Sequence, residues 1–201
     1  MLDSADATPL DGRVARSQRT RAAILEALTT LLHEGNPQPT VEEIAARAGV
    51  APRTVFQHFA DRDALFEALS VSRLPYLRVL MGRIDLDAPL PERIAELVAQ
   101  RVRVYEYVAP VRRAGLLMEP FSDKVHEALD GFRVHKRKEV ERVFAPEIAA
   151  CPEAERPHLV AALGAASSWS CWDALRTHQG LDPDAAAASL THTLRALLGD
   201  R

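Results

Sequence analysis

The sequence predicts an all-α protein, and three kinds of observation lead to that class. Apolar residues recur at helical spacing along most of the 201-residue chain. No run shows the alternation of apolar and polar residues that is typical of a strand. Capping residues, glycines and prolines divide the apolar stripes into segments of helical length. We therefore expect a helical protein, long enough for one large domain or two small ones.

The composition fits an ordinary globular protein, with 47% hydrophobic and 26% charged residues and a formal net charge of −3. Two cysteines, Cys151 and Cys171, are too few for a disulfide framework and lack the paired spacing of a zinc site. No apolar run approaches the roughly 20 residues that a bilayer crossing needs, and the segment MLDSADATPLDG carries acids where a secretory signal carries bases. We predict a cytoplasmic protein that does not span a membrane, and we expect no cofactor and no metal.

The N-terminal end predicts a disordered arm followed by a first helix. Residues 1–15 include a proline, a glycine and few large apolar side chains, which favours disorder. From Arg21 onward the apolar positions follow a helical period, and Gly35 with Pro37 supplies a stop. These apolar positions are Ile24, Leu25, Leu28, Leu31 and Leu32.

The segment TVEE, residues 40–43, predicts the start of a second helix. It is a capping box, in which the Thr40 hydroxyl accepts a hydrogen bond from the Glu43 amide and the Glu43 carboxylate accepts one from the Thr40 amide. Gly49 suits a tight exit from this helix, and Pro52 suits the first turn of a third. Two short helices joined by so few residues must cross steeply, which predicts a helix-turn-helix.

The third helix, within PRTVFQHFADRDALFEAL at 52–69, combines two opposite faces. Val55 and Phe59 are expected to bury against the first two helices. The outward side chains are of types that hydrogen-bond to base edges or phosphates when a helix enters the major groove of DNA. They are Arg53, Thr54, Gln57 and His58. An exposed polar helix face is also often only solvated, so this pattern by itself leaves both interpretations open.

A fourth helix and a series of later helices complete the predicted fold. Asp61 is placed to cap the fourth helix, which we expect to end just before Pro75. Asp182 and Pro183 predict the start of the last helix. The basic run RVHKRKEVER, residues 133–142, predicts a solvated helix face. The other helices are expected to break at Pro89, Pro91, Pro110, Pro120, Pro146, Pro152 and Pro157.

Residues 16–70 contain several motifs that together resemble a known family. These are RAAIL at 21–25, Gly35, TVEEIAARAGV at 40–50, and the pattern of Phe56, His58, Phe59, Arg62 and Leu65. They are similar to the N-terminal DNA-binding domain of the TetR (tetracycline repressor) family of bacterial regulators. The resemblance implies a helix-turn-helix DNA-binding domain at 16–70, joined to a larger helical effector-binding and dimerisation domain at 71–201.

The resemblance also implies two groups of DNA contacts, because the family inserts its third helix into the major groove and uses the ends of helices one, two and four on phosphates. The implied base contacts are Arg53, Thr54 and Gln57. The implied contacts to the sugar–phosphate backbone are Thr40, His58 and Arg62. Arg53 is the strongest candidate, because a guanidinium can bridge guanine O6 and N7.

Three positions depart from the family pattern. Phe56 stands where a tyrosine is common, so the hydroxyl that the resemblance would assign to a phosphate is absent, and we expect Phe56 to pack rather than to contact DNA. Ala51 replaces the frequent serine cap of the third helix, and Pro52 partly compensates by setting φ. Arg62 replaces the usual lysine and keeps the charge.

The C-terminal segment 159–198 resembles the last two helices of the family, which pair with those of a second copy in a four-helix bundle. A two-fold dimer spaces two recognition helices by about one DNA turn, roughly 34 Å, so the implied partner is a double-stranded palindromic operator. The implied interface residues are Ala162, Ala166, Leu190, Leu194 and Leu197. The core of a single chain would use the same kinds of residue.

In the family, the region between these parts binds an inducing small molecule. Several side chains there could line such a pocket, although each is more often plain core: Tyr105, Met118, Phe121, His126, Phe132 and Trp169. The implied mechanism is a population shift, in which a ligand that prefers the conformation with badly spaced recognition helices weakens DNA binding.

The favoured interpretation is a sequence-specific DNA-binding transcriptional regulator, with repression, relieved by a small-molecule effector, as the usual mode of the family. The sequence holds no phosphate-cradling glycine loop, G-x-S-x-G elbow or acid–base pair, so we do not expect an enzyme. Two alternatives stay open. One is a helical small-molecule-binding protein or enzyme with a vestigial helix-turn-helix, and the other is a chromosome-organising DNA-binding protein that responds to no ligand.

Overall fold

A computed structural model describes residues 9–199, and every regular element in that range is helical. The predicted all-α class is therefore confirmed. Among the described residues no helix combines the length and the apolar character that a bilayer crossing needs.

The described range contains ten α-helices, which are α1 (Pro9–His33), α2 (Val41–Ala48), α3 (Pro52–His58), α4 (Arg62–Met81), α5 (Leu90–Met118), α6 (Asp123–Val143), α7 (Ala145–Ala150), α8 (Arg156–Ala166), α9 (Trp169–Asp173) and α10 (Pro183–Leu198). A short 3₁₀ helix (Glu119–Phe121) follows α5, and a π-helical turn (Ala174–His178) follows α9.

The chain forms two compact units. The N-terminal unit contains the described residues up to Ser72 together with Pro110–Val125, and the C-terminal unit contains Arg73–Ala109 together with the described residues from His126 onward. Residues 110–125 belong to a unit whose other residues are distant in sequence. No local pattern in the chain therefore predicts that they belong to it.

Local sequence signals explain the helix ends around the helix-turn-helix. Thr40 and Glu43 form the predicted capping box at the start of α2. Gly49 ends that helix with φ +68°, in the left-handed region that favours glycine. Pro52 lies in the first turn of α3, and the Asp61 carboxylate accepts a hydrogen bond of 2.7 Å from the Ala64 amide at the start of α4. Each of these four predictions is confirmed.

The core of the N-terminal unit is built from the apolar faces of its helices. Ile24 and Leu28 of α1 and Ile44 of α2 are all buried, as are Val55 of α3 and Leu69 of α4. These residues recur at the helical period in the sequence, so each helix contributes one apolar face. The packing holds α2 and α3 against α1.

Some predicted boundaries are wrong. Residues 1–8 of the predicted arm lie outside the described residues, whereas residues 9–15 form the first turns of α1, because a proline is accommodated in a first turn. Helix α4 continues through Pro75, and α5 continues through Pro110. A proline removes one backbone hydrogen bond, and packing on both sides of it can outweigh that loss. Buried Val104 and Ala114 lie on either side of Pro110 in the sequence.

The C-terminal unit has its own apolar core, to which α5, α6, α8 and α10 contribute. Leu97, Val140, Leu163 and Leu194 are all fully buried there. Within the predicted solvated run at 133–142, however, Lys136 and Glu139 are buried as well as Val140. The prediction is wrong for that face, because residues three and four apart share one side of a helix and that side of α6 faces inward.

Candidate nucleic-acid interface

Helix α3 has one buried side and one exposed side. Val55 is 2% exposed and Phe59, directly after the helix, is 3% exposed. Arg53 and Gln57 are exposed, and Thr54 and His58 are half-buried. At 100° per residue, Arg53 and Gln57 lie opposite Val55. The polar side of α3 is thus available to a ligand.

A residue of α1 holds the end of α3 in place. The Arg21 guanidinium donates a hydrogen bond of 3.0 Å to the His58 carbonyl oxygen. Its central carbon also lies 4.3 Å from the centre of the Phe59 ring, which is a cation–π contact. In the sequence, Arg21 is recognisable only as part of the RAAIL motif. Its support of α3 is not predictable there, because the contact spans 37 positions of the chain.

The start of α2 is also well organised. The Glu43 carboxylate accepts hydrogen bonds of 2.7 Å from the Thr40 amide and 2.9 Å from the Thr40 hydroxyl. These two bonds, from the Thr40 backbone and then from its side chain, lower the pKa of Glu43 below its ordinary value. Thr40 is exposed, as a phosphate contact requires, but its hydroxyl proton already points to Glu43. Contact with a phosphate through that hydroxyl requires the proton to turn away from Glu43.

The arginines on this surface differ in whether they form an ion pair with an acidic residue. Arg47 forms a two-point ion pair with Glu34, at 2.6 and 2.8 Å. Within the part of the chain that the structure describes, neither Arg53 nor Arg62 pairs with an acid, and both are exposed. Two guanidinium groups are therefore available to contact an anion. One lies at the start of α3 and the other at the start of α4.

Phe56 is 57% exposed, so the prediction that it packs is wrong. The core beneath α3 is occupied by Val55 and Phe59, and Phe56 lies one residue beyond Val55 on the helix. Together with Thr40 and Arg62, Phe56 lines a small surface cavity of 90 Å³.

The residues predicted to line an effector pocket are distributed over both units. Tyr105 and Trp169 are buried in the C-terminal unit, with their rings 5.7 Å apart in an edge-to-face arrangement. Half-buried Met118 packs against the N-terminal core, and Phe121 is 89% exposed. In the C-terminal unit His126 is exposed and Phe132 is half-buried. Of the six residues predicted to line the pocket, Tyr105 and Trp169 contact each other directly.

Two of the five residues predicted at a dimer interface lie in the core of the single chain. Leu190 and Leu194 are buried in the C-terminal core, and they offer no surface to a second chain. That part of the prediction is wrong, because these leucines pack against the chain's own helices. Half-buried Ala162 and Leu197 line a cavity of 520 Å³ formed by residues of α7, α8 and α10 with neighbouring residues. Ala166 is also half-buried and packs against the same core.

Comparisons with known proteins agree with this architecture. The family model "Bacterial regulatory proteins, tetR family" matches residues 24–69. Among curated proteins, none matches this chain in sequence. A solved transcriptional regulator from Rhodococcus sp. Rha1 is 18% identical with a TM-score of 0.66, and the match covers 90% of this chain and 95% of that one.

Two further solved structures come from the same genus. A candidate TetR-family transcriptional regulator from Rhodococcus sp. is 16% identical with a TM-score of 0.66, covering 90% of this chain and 99% of that one. A TetR-like transcriptional regulator from Rhodococcus sp. RHA1 is 17% identical with a TM-score of 0.53, covering 92% of this chain and 97% of that one. The three likenesses establish a shared fold. Residues 24–69 match the helix-turn-helix domain of the tetR family of bacterial regulatory proteins, which are DNA-binding transcriptional regulators.

Proposed function

We propose that this protein is a sequence-specific repressor that binds a palindromic operator as a homodimer and is released from it by a small molecule. The observation that carries the proposal is the polar side of α3, where Arg53 and Gln57 are exposed opposite buried Val55 and Phe59. Such a role places the protein in the cytoplasm, with access to chromosomal DNA. Genome-wide immunoprecipitation tests it, and we expect a few sites that share one palindrome. Many dispersed sites without a common sequence would contradict the proposal.

The proposed DNA contacts divide by position. Arg53, Thr54 and Gln57 are proposed to contact base edges, since α3 presents them to a groove. Thr40, His58 and Arg62 are proposed to contact phosphates or sugars, which set the orientation of the protein on the duplex without reading sequence. The starts of α2 and α4 suit this second task, because amide groups there point outward with a partial positive charge.

Arg53→Ala is expected to weaken operator binding by about 1–3 kcal/mol and to relax discrimination at one base pair. The physical reason is the loss of a two-point contact to a guanine edge. Fluorescence anisotropy on the operator and on single-base variants, at several salt concentrations, measures both effects. Arg62→Ala is the matched control, because loss of a phosphate contact weakens binding to all duplexes alike and reduces the salt dependence. An equal loss on every duplex for Arg53→Ala would instead assign Arg53 to phosphate.

The proposed dimer uses the surface near Ala162 and Leu197, which remains partly accessible in the single chain. We expect Ala162→Glu to shift the protein toward monomer, because a carboxylate would be buried without a partner. Ala161→Glu, at an exposed neighbouring position on the same helix, is the control and should leave the dimer intact. Sedimentation equilibrium measures the oligomeric state. A dimer that persists at the same concentration in Ala162→Glu would place the interface elsewhere.

The proposed release by an effector requires different affinities for the free and the operator-bound protein. A compound that weakens DNA binding by a given factor must itself bind the operator complex more weakly by the same factor. Compounds that displace the operator in an anisotropy screen are therefore titrated calorimetrically into both forms. Equal affinity for the two forms would refute release by that compound. Buried Tyr105 and Trp169, in edge-to-face contact, are the proposed starting points for locating the pocket.

A further inference from the structure

Phe56 is an exposed phenylalanine on the proposed DNA-binding surface. We propose that Phe56 reads thymine through its 5-methyl group and so contributes to the choice of operator sequence. This inference rests on the proposed function, because it requires α3 to enter the major groove.

The position of Phe56 on α3 directs its ring toward the edge of that surface. Val55, one residue before it, is buried, and Gln57, one residue after it, is exposed. On a helix with 100° between residues, Phe56 therefore lies between the core side and the outward side. It lines the same small cavity as Thr40 and Arg62. The ring thus stands between the proposed base contacts and two proposed phosphate contacts.

The surroundings of the ring favour DNA over an apolar protein partner. Arg53 and Arg62, both exposed, pair with no acid among the described residues. A surface with two such guanidinium groups suits a polyanion, whereas an apolar partner would have to desolvate them at a high cost in free energy.

The chemistry of the side chain narrows its target further. A phenyl ring has no hydrogen-bond donor, so it cannot take over the phosphate contact of a tyrosine hydroxyl. In the major groove, thymine is the base that presents a methyl group, and adenine, guanine and cytosine have no methyl group there. Contact with that methyl group is therefore sequence-dependent, whereas contact with deoxyribose would not be.

The test uses the full-length protein and a duplex that it selects from a randomised library. Each thymine of this duplex is replaced in turn by deoxyuridine, which lacks the methyl group and keeps the base-pairing edge. Burial of one methyl group changes Kd by about fourfold. We expect deoxyuridine to weaken wild-type binding by about fourfold at one position of each half-site and to have no effect at the other thymines.

Variants then assign the effect to Phe56. Phe56→Ala should bind the selected duplex more weakly and should no longer distinguish thymine from deoxyuridine at the sensitive position. Phe56→Leu retains an apolar side chain and should keep part of the distinction. Val71→Ala is the matched control, because Val71 is likewise 57% exposed in the same unit, and it should behave as the wild type.

The outcomes separate this inference from the proposed function. If no duplex is enriched in the selection, the proposed function itself fails. If a duplex is enriched but no thymine is sensitive to deoxyuridine in the wild type, the role of Phe56 is overturned and sequence-specific binding stands. The role of Phe56 is also overturned if binding by Phe56→Ala is still weakened by deoxyuridine at the sensitive position. The wild-type measurement needs no variant, so instability of a variant does not affect it.

Discussion

Glu139→Gln is expected to destabilise the C-terminal unit by about 3–5 kcal/mol, because it removes the carboxylate that pairs with two buried cations. The Glu139 carboxylate accepts hydrogen bonds of 2.6 Å from Arg101 and 2.9 Å from Lys136. Gln100 donates another, of 2.7 Å, to its second oxygen. Arg101 is fully buried and Lys136 nearly so. A neutral glutamine would leave both cations in the interior without compensation.

The charges of this cluster shift its pKa values in a consistent way. Burial alone would raise the pKa of Glu139, but the charges of Arg101 and Lys136 and the hydrogen bonds to the carboxylate outweigh burial and lower it to about 2. Burial and the charge of Arg101 lower the pKa of Lys136 to about 8. The carboxylate is therefore ionised at neutral pH, and Lys136 is held in an unfavourable environment.

Chemical denaturation followed by circular dichroism measures the effect of Glu139→Gln. Lys136→Met is the matched control. It leaves Arg101 and Glu139 as a pair with no net charge, so we expect stability equal to or greater than that of the wild type at pH 7. A loss below about 1 kcal/mol for Glu139→Gln, less than one ordinary mutational effect, would show that the cluster contributes little to stability.

The pH dependence follows from the same two shifts. The folded pKa of Glu139 lies below its ordinary value of 4.5, so its contribution to stability is fully present above about pH 4.5 and is lost as the pH falls toward 2. The difference between wild type and Glu139→Gln should shrink over that window. The pKa of Lys136 lies below 10.5, so wild type should gain stability relative to Lys136→Met between about pH 8 and 10.5.

Phe59→Ala is expected to destabilise the N-terminal unit by about 3–5 kcal/mol and to abolish operator binding. Phe59 is 3% exposed and belongs to the core that seats α3. Its ring also receives the Arg21 guanidinium at 4.3 Å. Removal of the ring leaves a cavity and releases that cation, so the end of α3 loses its support from α1.

Thermal unfolding and anisotropy on the operator measure the two effects. Phe56→Ala is the matched stability control, because Phe56 lies three residues earlier and is 57% exposed. Substitutions at exposed positions usually change stability by less than about 0.5 kcal/mol. If both variants lost the same stability, Phe59 would not be the residue that anchors α3.

Much of the helix-turn-helix could be predicted because its signals are local. The capping box of Thr40 and Glu43, the left-handed Gly49, the first-turn Pro52 and the cap at Asp61 each involve residues at most five positions apart. The residue types at these positions therefore predict where each helix starts and ends without any knowledge of distant contacts. The alternation of buried Val55 and Phe59 with outward polar residues follows from the helical period.

Other features could not be predicted, since they depend on contacts between distant residues. Proline was expected to end helices at Pro75 and Pro110, yet α4 and α5 continue through both. Arg21 supports the end of α3 across 37 positions. Leu194 is an apolar residue of the kind found at interfaces, but it is fully buried inside its own unit.

The sequence by itself determined the helical class, the helix-turn-helix and the outward side of α3, because caps, turns and the helical period act within a few residues. Only the tertiary structure decided which residues that period leaves exposed or buries. Phe56 is exposed, whereas neighbouring Val55 and Phe59 are the residues that turn toward the core of the N-terminal unit. Glu139 is buried as an ion because Arg101, 38 positions earlier in the chain, is present to compensate its charge.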